Sequence, residues 1–160
     1  MTLTVGTNSF ISLEDAEVYF TDRLTITSWD DADNASKESA LITATNLLNV
    51  KNWVGYTEDE DQVLAFPREG EYYEPINGQY ILFDGIPSRI KKATCETALH
   101  HLKNDNLLDN KGSTLSVLKV GQIQLEGNIG AKSLGKLPTT ALDLIKPLLR
   151  VGGNSWWRTN

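Results

Sequence analysis

The feature that most constrains the fold is a long stretch, residues 51–85, that separates two amphipathic segments and has no helical periodicity of its own. It contains an acidic run and six helix-breaking residues: Glu58-Asp59-Glu60-Asp61, Gly55, Pro67, Gly70, Pro75, Gly78 and Gly85. Loops of this length inside a compact domain generally carry function or local structure. We therefore predict a long loop here, with one brief extended piece at Tyr80-Ile81-Leu82-Phe83.

Four segments outside this stretch have apolar residues at helical spacing, which predicts amphipathic helices. Ser12 followed by Asp15 is typical of a helix start, and either Asp31 or Asp33 is expected to cap the second helix. The predicted helices are about Leu13–Arg23, Ala35–Val50, Ser88–Lys103 and a fourth that Thr140 caps and Pro147 interrupts.

Residues 115–126 carry the clearest strand pattern, because apolar and polar residues alternate on both sides of Gly121. The predicted fold class is mainly α: a small bundle of about four helices with a β-ribbon and long loops. We predict one helical domain over residues 1–153, with the long loop at 51–85, the ribbon at 115–126 and a C-terminal tail at 154–160.

The charge balance is acidic, with 15 Lys and Arg against 21 Asp and Glu, for a net charge of −6. Nucleic-acid binders usually carry a basic surplus or stripe, so this balance argues against tight DNA binding as the main role. No segment resembles a signal peptide or a membrane span of roughly 20 apolar residues. We therefore expect a protein of the cytoplasm, or of a particle assembled there, with no membrane partner.

The residues that usually carry chemistry do not form a recognisable constellation. Cys95, the single cysteine, lies in the apolar half of its predicted helix, away from His100 and His101. The acidic run lacks the spacing and glycine of a calcium loop, and no glycine-rich phosphate loop is present. We therefore predict no catalytic residue, no cofactor and no metal site, and expect that the protein is not an enzyme.

Two groups of residues leave alternatives open. The first, Trp53, Gly55, Phe66, Pro67 and Arg68, is predicted to fold the long loop onto the bundle, with Arg68 pairing an acidic neighbour; the alternative is a base-stacking platform. The second group, Arg89, Lys91 and Lys92 at the start of the third helix, is predicted to be a solvated face. Its alternatives are a phosphate contact and a salt-bridged subunit contact.

Several short signatures recur in a fixed order: residues 8–16, Trp53-Val54-Gly55, Phe66-Pro67-Arg68, Ile86-Pro87 and Lys119-Val120-Gly121. In this order they resemble the head–tail connector (adaptor) proteins of tailed bacteriophages, including the branch named for a DnaT-like single-stranded-DNA-binding protein. The resemblance implies a structural virion protein, assembled in the host cytoplasm, that forms a homo-oligomeric ring. That ring would join the portal protein to the next tail component and line a channel through which DNA passes without specific binding.

On this hypothesis the C-terminal residues Trp156, Trp157 and Arg158 would dock on the portal, since Trp and Arg are favoured interface anchors. Subunit contacts would come from Val18 and Ile42, which lie off their helices' core faces, and from the ribbon residues Val117, Ile123 and Leu125.

Two other functions remain open on the sequence alone. The first is a single-stranded-DNA-binding replication accessory that uses Arg89, Lys91, Lys92 and Trp53. The second is an enzyme with residues 51–85 as a lid.

Overall fold

The computed structural model describes residues 2–24, 26–103, 118–120, 123–125 and 137–150. Over these residues the chain forms five α-helices, one short 3-10 helix and three two-stranded antiparallel sheets. The helices are α1 (Leu13–Thr21), α2 (Thr27–Asp30), α3 (Asn34–Asn49), α4 (Ser88–Lys103) and α5 (Thr139–Ile145), with the 3-10 helix at Lys146–Leu148. The strands are β1 (Tyr56–Thr57), β2 (Arg68–Glu69), β3 (Glu71–Glu74), β4 (Gln79–Leu82), β5 (Leu118–Val120) and β6 (Ile123–Leu125).

The expectation of a mainly α bundle is therefore wrong in its proportions, and the described chain is a small mixed α/β domain. The difference arises in residues 51–85, where β1 pairs with β2 and β3 pairs with β4. These strands are only two to four residues long, so their alternation is too short to stand out from the surrounding loop. The predicted ribbon at 115–126 corresponds to β5 paired with β6.

Local capping chemistry sets two of the helix starts. The hydroxyl of Ser12 accepts a hydrogen bond from the amide of Asp15 at 3.0 Å, and the carboxylate of Asp33 accepts one from the amide of Ser36 at 2.6 Å. Asp33, rather than Asp31, is thus the cap of α3. The predicted cap at Thr140 is wrong, because α5 begins at Thr139 and Pro138 occupies the capping position.

Helix α4 lies between two clusters of buried side chains. On one side, α1, α2 and α3 bury residues such as Phe20, Trp29 and Leu41 against Cys95 and Leu99 of α4. Burial of Trp29 accounts for α2, which the polar composition of residues 25–34 concealed. On the other side, Ile90 and Ala93 of α4 pack against the residues that hold the 51–85 stretch and α5 in place: Phe10, Leu48, Trp53, Leu64, Phe66, Tyr72, Leu137, Ala141, Ile145 and Leu148.

Glycine is required at one bend of the 51–85 stretch. Gly55 has φ +78, and a Cβ there would collide with the backbone carbonyl oxygen of Glu69 on the facing strand. The close approach lets Tyr56 pair with Glu69 and Thr57 with Arg68. This pairing brings the side chain of Arg68 back toward the residues that follow α3.

Candidate functional site

An open cleft of about 560 Å³ lies where the residues after α3 meet the residues after the 3-10 helix. Three cationic side chains from distant parts of the sequence line this cleft: Lys51, Arg68 and Arg150. We call it the cationic cleft. None of the described residues that line it carries a carboxylate.

Backbone pairing between two distant segments builds the cleft. The amide of Val54 donates to the carbonyl of Leu148 at 3.0 Å, and the amide of Arg150 donates to the carbonyl of Asn52 at 2.9 Å. Trp53 and Leu149 form an antiparallel bridge between these two bonds. As a result, Arg150 is held beside the segment that begins at Lys51.

The guanidinium of Arg68 is fixed by backbone carbonyls. Its Nε donates to the carbonyl of Val54 at 2.8 Å, its Nη1 to that of Ala65 at 3.1 Å and its Nη2 to that of Gly55 at 2.7 Å. The expected ion pair between Arg68 and an acidic neighbour is therefore absent from the described residues. Carbonyl oxygens accept from three of the five N–H donors of Arg68, but they are neutral and, among the described residues, no carboxylate compensates its positive charge.

The charges of the cleft act on one another. The pKa of Arg68 lies below its ordinary value, because burial disfavours the charged form and the positive charge of Arg150 repels it. Among the described residues, none of the three cleft cations forms an ion pair with a carboxylate. Like charges held together in this way favour the binding of an anion between them.

Aromatic residues border the same cleft. Trp53 is only 3% exposed and packs edge-on against Phe66, with ring centroids 5.2 Å apart. Its indole N–H is buried and finds no acceptor among the described residues. Tyr56, by contrast, is 74% exposed and also lines the cleft.

The acidic run Glu58-Asp59-Glu60-Asp61 lies at the rim of the cleft. Its flanking residues Thr57 and Gln62 line the cleft, whereas the four acidic side chains are exposed. The amide of Asp61 donates to the carboxylate of Asp59 at 3.0 Å, which shapes a tight turn. The four acidic side chains are therefore exposed next to the cleft and are not part of its lining.

The residues of the sequence-predicted loop motif meet in one place. Phe66 contacts Trp53, Phe10 and Phe83, and the guanidinium carbon of Arg68 lies 5.9 Å from the centre of the Phe66 ring. Pro67 is joined to Phe66 by a cis peptide bond, and its carbonyl accepts from the side chain of Gln62 at 3.0 Å. Because Trp53 and Phe66 are buried, they are not available as an open stacking platform for bases.

The basic group at the start of α4 does not act as one patch. Arg89 donates to the carboxylate of Glu74 through Nε at 2.8 Å and also through Nη2. The ammonium of Lys91 lies 3.9 Å from the carboxylate of Asp15. Lys92 forms no ion pair within the described part of the chain, and it lines a different cavity of about 760 Å³ together with the carboxylates of Asp22, Glu96 and Asp143.

The residues predicted for subunit contacts are scattered. Val18 on α1 is 61% exposed, while Ile42 on α3 is half-buried. Ile123 and Leu125 lie on β6, whose side chains are outside the described part, and Val117 lies outside the described residues altogether. The predicted docking tail with Trp156, Trp157 and Arg158 also lies outside them.

Three other kinds of feature in the described residues would point to a different function: a reactive thiol, a metal site and a membrane-spanning helix. Burial raises the pKa of the Cys95 thiol to about 12, so this thiol is neutral near pH 7. Within the described ranges, no group of three or more His, Cys, Asp and Glu side chains is placed to hold a metal ion. No helix in the same part of the chain is long and apolar enough to cross a membrane.

Sequence reasoning missed three residues of the cleft, namely Lys51, Tyr56 and Arg150. Each is ordinary in its local context, and only the pairing of residues 52–54 with residues 148–150 brings Arg150 to the other two. Lys51 offered one signal, since it follows the end of α3 and begins the long stretch that was expected to carry either function or local structure.

A family model described as "Putative DnaT-like ssDNA binding protein" matches residues 2–159, which is nearly the whole chain. No curated protein and no solved structure matches the chain.

This match overturns the connector hypothesis. The expected roles in a virion ring, in binding a portal or a tail component, and in letting DNA pass without specific binding are therefore wrong. The short signatures were misleading because glycine, proline and aromatic residues recur wherever loops pack on helices. The expected location, a virion assembled in the host cytoplasm, stays a prediction.

Proposed function

We propose that this chain, which belongs to the DnaT-like single-stranded-DNA-binding family, binds single-stranded DNA and does so through the cationic cleft. The observation that carries the proposal is the convergence of Lys51, Arg68 and Arg150 on one cleft without a carboxylate in its described lining. Phosphate contacts supply most of the affinity of sequence-independent nucleic-acid binding. A local cluster of uncompensated cations meets this need even though the whole chain is acidic.

The aromatic surroundings favour a single strand over a duplex. Unpaired bases can stack on exposed aromatic rings, whereas the bases of a duplex are already stacked on each other. Tyr56 is exposed at the cleft, so a base next to a bound phosphate has a ring to stack on. The exposed acidic run at the rim would repel the denser charge of a duplex.

The binding residues in this proposal differ from those that the sequence predicted for single-stranded-DNA binding. The pairing of Arg89 with Glu74 and the burial of Trp53 remove two members of the predicted binding group. Lys51, Arg68, Arg150 and Tyr56 take their place in the proposal. Lys92 becomes a useful control, because it is an exposed cation in a cavity that also contains three carboxylates.

The experiment is a fluorescence-anisotropy titration of a labelled poly-dT oligonucleotide across a range of salt concentrations. For about three phosphate contacts we expect a slope of log K against log salt near −2, which is roughly a 15-fold loss of affinity between about 50 and 200 mM salt. Replacing Arg150 by Gln should weaken binding about 5- to 10-fold and make this slope shallower by roughly 0.7.

The matched control is Lys92→Gln, which removes the same charge outside the cleft and should change affinity less than about 2-fold. Equal effects of the two substitutions would show that binding is diffuse and not localised to the cleft. Absence of salt-dependent binding to single-stranded DNA in the unaltered protein would refute the proposed function itself.

We further propose that binding is not accompanied by catalysis. The neutral Cys95 thiol supports this, because the thiolate is the nucleophilic form. Incubating labelled single-stranded DNA with the protein and a divalent cation should leave the oligonucleotide intact on a denaturing gel. Cleavage that Cys95 or cleft substitutions abolish would contradict this part of the proposal.

A further inference from the structure

We infer that the cationic cleft is a single-nucleotide subsite, which holds one phosphate between Arg68 and Arg150 and one base against Tyr56. The inference rests on the proposed function and names the unit of the strand that the cleft recognises. It predicts that a free deoxynucleotide binds at this site without help from the rest of a strand.

The first support is the fixed position of the Arg68 guanidinium. A guanidinium has five N–H donors, and three of them are used on the carbonyls of Val54, Ala65 and Gly55. The remaining donors, one on Nη1 and one on Nη2, are available to an oxyanion. Because the guanidinium is already immobilised, little side-chain freedom is lost when a phosphate binds.

The second support is the pair of neighbouring positive charges. Arg150 lies close enough to Arg68 to lower its pKa, and its backbone is fixed by the hydrogen bond to Asn52. A phosphate between the two side chains would neutralise this repulsion and accept hydrogen bonds from both. Lys51 on the same lining adds a third cation that can contact the second phosphate oxygen.

The buried indole N–H of Trp53 offers a way to detect a ligand in the cleft. Buried polar groups without a partner are rare in folded proteins, and this one, which finds no acceptor among the described residues, belongs to a residue that lines the cleft. Because Trp53 lines the cleft, a ligand bound there would lie beside its side chain and change the surroundings of this buried N–H. Trp53 is therefore a natural reporter of occupancy.

The volume of the cleft suits one nucleotide rather than several consecutive nucleotides of a strand. Its volume of about 560 Å³ falls within the roughly 300–1,000 Å³ typical of small-ligand sites. Beyond the cleft, the rim carries Glu58-Asp59-Glu60-Asp61, which disfavours a second phosphate on that side.

The experiment titrates the ¹⁵N-labelled protein with thymidine monophosphate, inorganic phosphate and thymidine, and follows the tryptophan indole N–H resonances. A Trp53→Phe variant identifies the Trp53 resonance. We expect thymidine monophosphate to shift this resonance in a saturable way, inorganic phosphate to shift it with about 5-fold weaker affinity, and thymidine to leave it in place. Arg150→Gln should weaken the nucleotide at least about 5-fold, and Lys92→Gln should have no effect.

The outcomes separate the subsite from the proposed function. If poly-dT binds but the mononucleotide leaves the Trp53 resonance unchanged, the subsite is wrong while single-strand binding stands. Equal affinity for phosphate and nucleotide would refute the base contact at Tyr56. If neither poly-dT nor the nucleotide binds, both proposals fail. If Trp53→Phe does not fold, the Arg150→Gln and Lys92→Gln titrations still decide the question.

Discussion

Arg68 and Arg89 are both partly buried arginines that make several hydrogen bonds, yet their pKa values are shifted in opposite directions. Arg89 donates to the carboxylate of Glu74, and this partner raises the pKa of Arg89 above its ordinary value. Arg68 donates to three neutral carbonyls, and burial together with Arg150 lowers its pKa. The comparison shows that the partner of a cation, rather than its residue type, decides whether its charge is available to a ligand.

The same comparison explains why net charge is a poor guide for this chain. A total of −6 describes the average surface, whereas the proposed binding would depend on the charges around one cleft. Four cations, Arg23, Lys37, Arg89 and Lys91, pair with carboxylates of described residues, whereas the three cleft cations have no such partner in the described part of the chain.

The largest expected effect concerns Arg68. An Arg68→Lys substitution keeps the charge but cannot reach all three carbonyls, so some of these partly buried carbonyls lose their donors. We expect a loss of about 3 kcal/mol in the free energy of unfolding, measured by urea denaturation. Arg150→Gln, which removes an exposed side chain, should cost less than about 0.5 kcal/mol. Equal stability of Arg68→Lys and the unaltered protein would show that the carbonyl contacts do not hold the loop.

The next effect concerns Glu74, on the other side of the comparison. Hydrogen bonds from Arg89 hold the pKa of the Glu74 carboxyl below its ordinary value of 4.5. A carboxyl with a lowered pKa stabilises the fold above its unfolded-state pKa, and this stability is lost as the pH falls through the folded-state pKa.

We therefore expect Glu74→Gln to destabilise the protein by about 2 kcal/mol at pH 7, since it leaves the mostly buried Arg89 without its counter-charge. Between about pH 5 and pH 3 the unaltered protein should lose stability more steeply than the variant. Urea denaturation at a series of pH values measures both. Parallel pH profiles would show that the pair contributes no pH-dependent stability.

A smaller effect is expected from charge reversal within the cleft. Lys51→Glu should weaken binding of poly-dT about 10-fold at low salt, because it places a carboxylate beside Arg68 and Arg150. Lys92→Glu is the counterpart outside the cleft and should change affinity about 2-fold or less. Anisotropy titrations at several salt concentrations check this, and the difference between the variants should shrink as salt increases.

The smallest effect is expected at the rim. A variant that combines Glu58→Gln, Asp59→Asn, Glu60→Gln and Asp61→Asn removes the negative charges of the acidic run. The new side chain at position 59 keeps a carbonyl oxygen that can accept from the amide of residue 61, so the turn is preserved. We expect poly-dT to bind about 2- to 3-fold more tightly at low salt, with no difference at about 0.5 M salt. Weaker binding by this variant would show that the run contributes to the site instead of opposing it.

The parts of the fold that sequence predicted are those that local chemistry determines. The bounds of α4 and the caps Ser12 and Asp33 follow from side chains within a few residues of each helix start. The strands of residues 51–85 and the cleft itself depend on contacts between segments far apart in sequence. No local pattern around Arg150 indicated that its amide would bond to Asn52.

The candidate site was predicted only in part for the same reason. The sequence Phe66-Pro67-Arg68 drew attention to Arg68, but the acidic residues nearby predicted the wrong hydrogen-bond partners for its side chain. The actual partners include the backbone carbonyls of Val54 and Gly55, and a backbone carbonyl is present in every residue whatever its type. Trp53 was predicted to fold the loop, with base stacking as the alternative, and its burial against Phe66 favours the predicted role.

The bond between Arg150 and Asn52 also has a consequence for the order of events during synthesis. A ribosome completes α3, the paired strands of the 51–85 stretch and α4 well before it reaches residue 150. A nascent chain at that stage carries Lys51 and Arg68 but lacks the third cation and the backbone pairing that encloses the cleft. On the proposed function, the capacity to capture a nucleotide should therefore emerge only after residue 150 has been synthesised and has paired with Asn52.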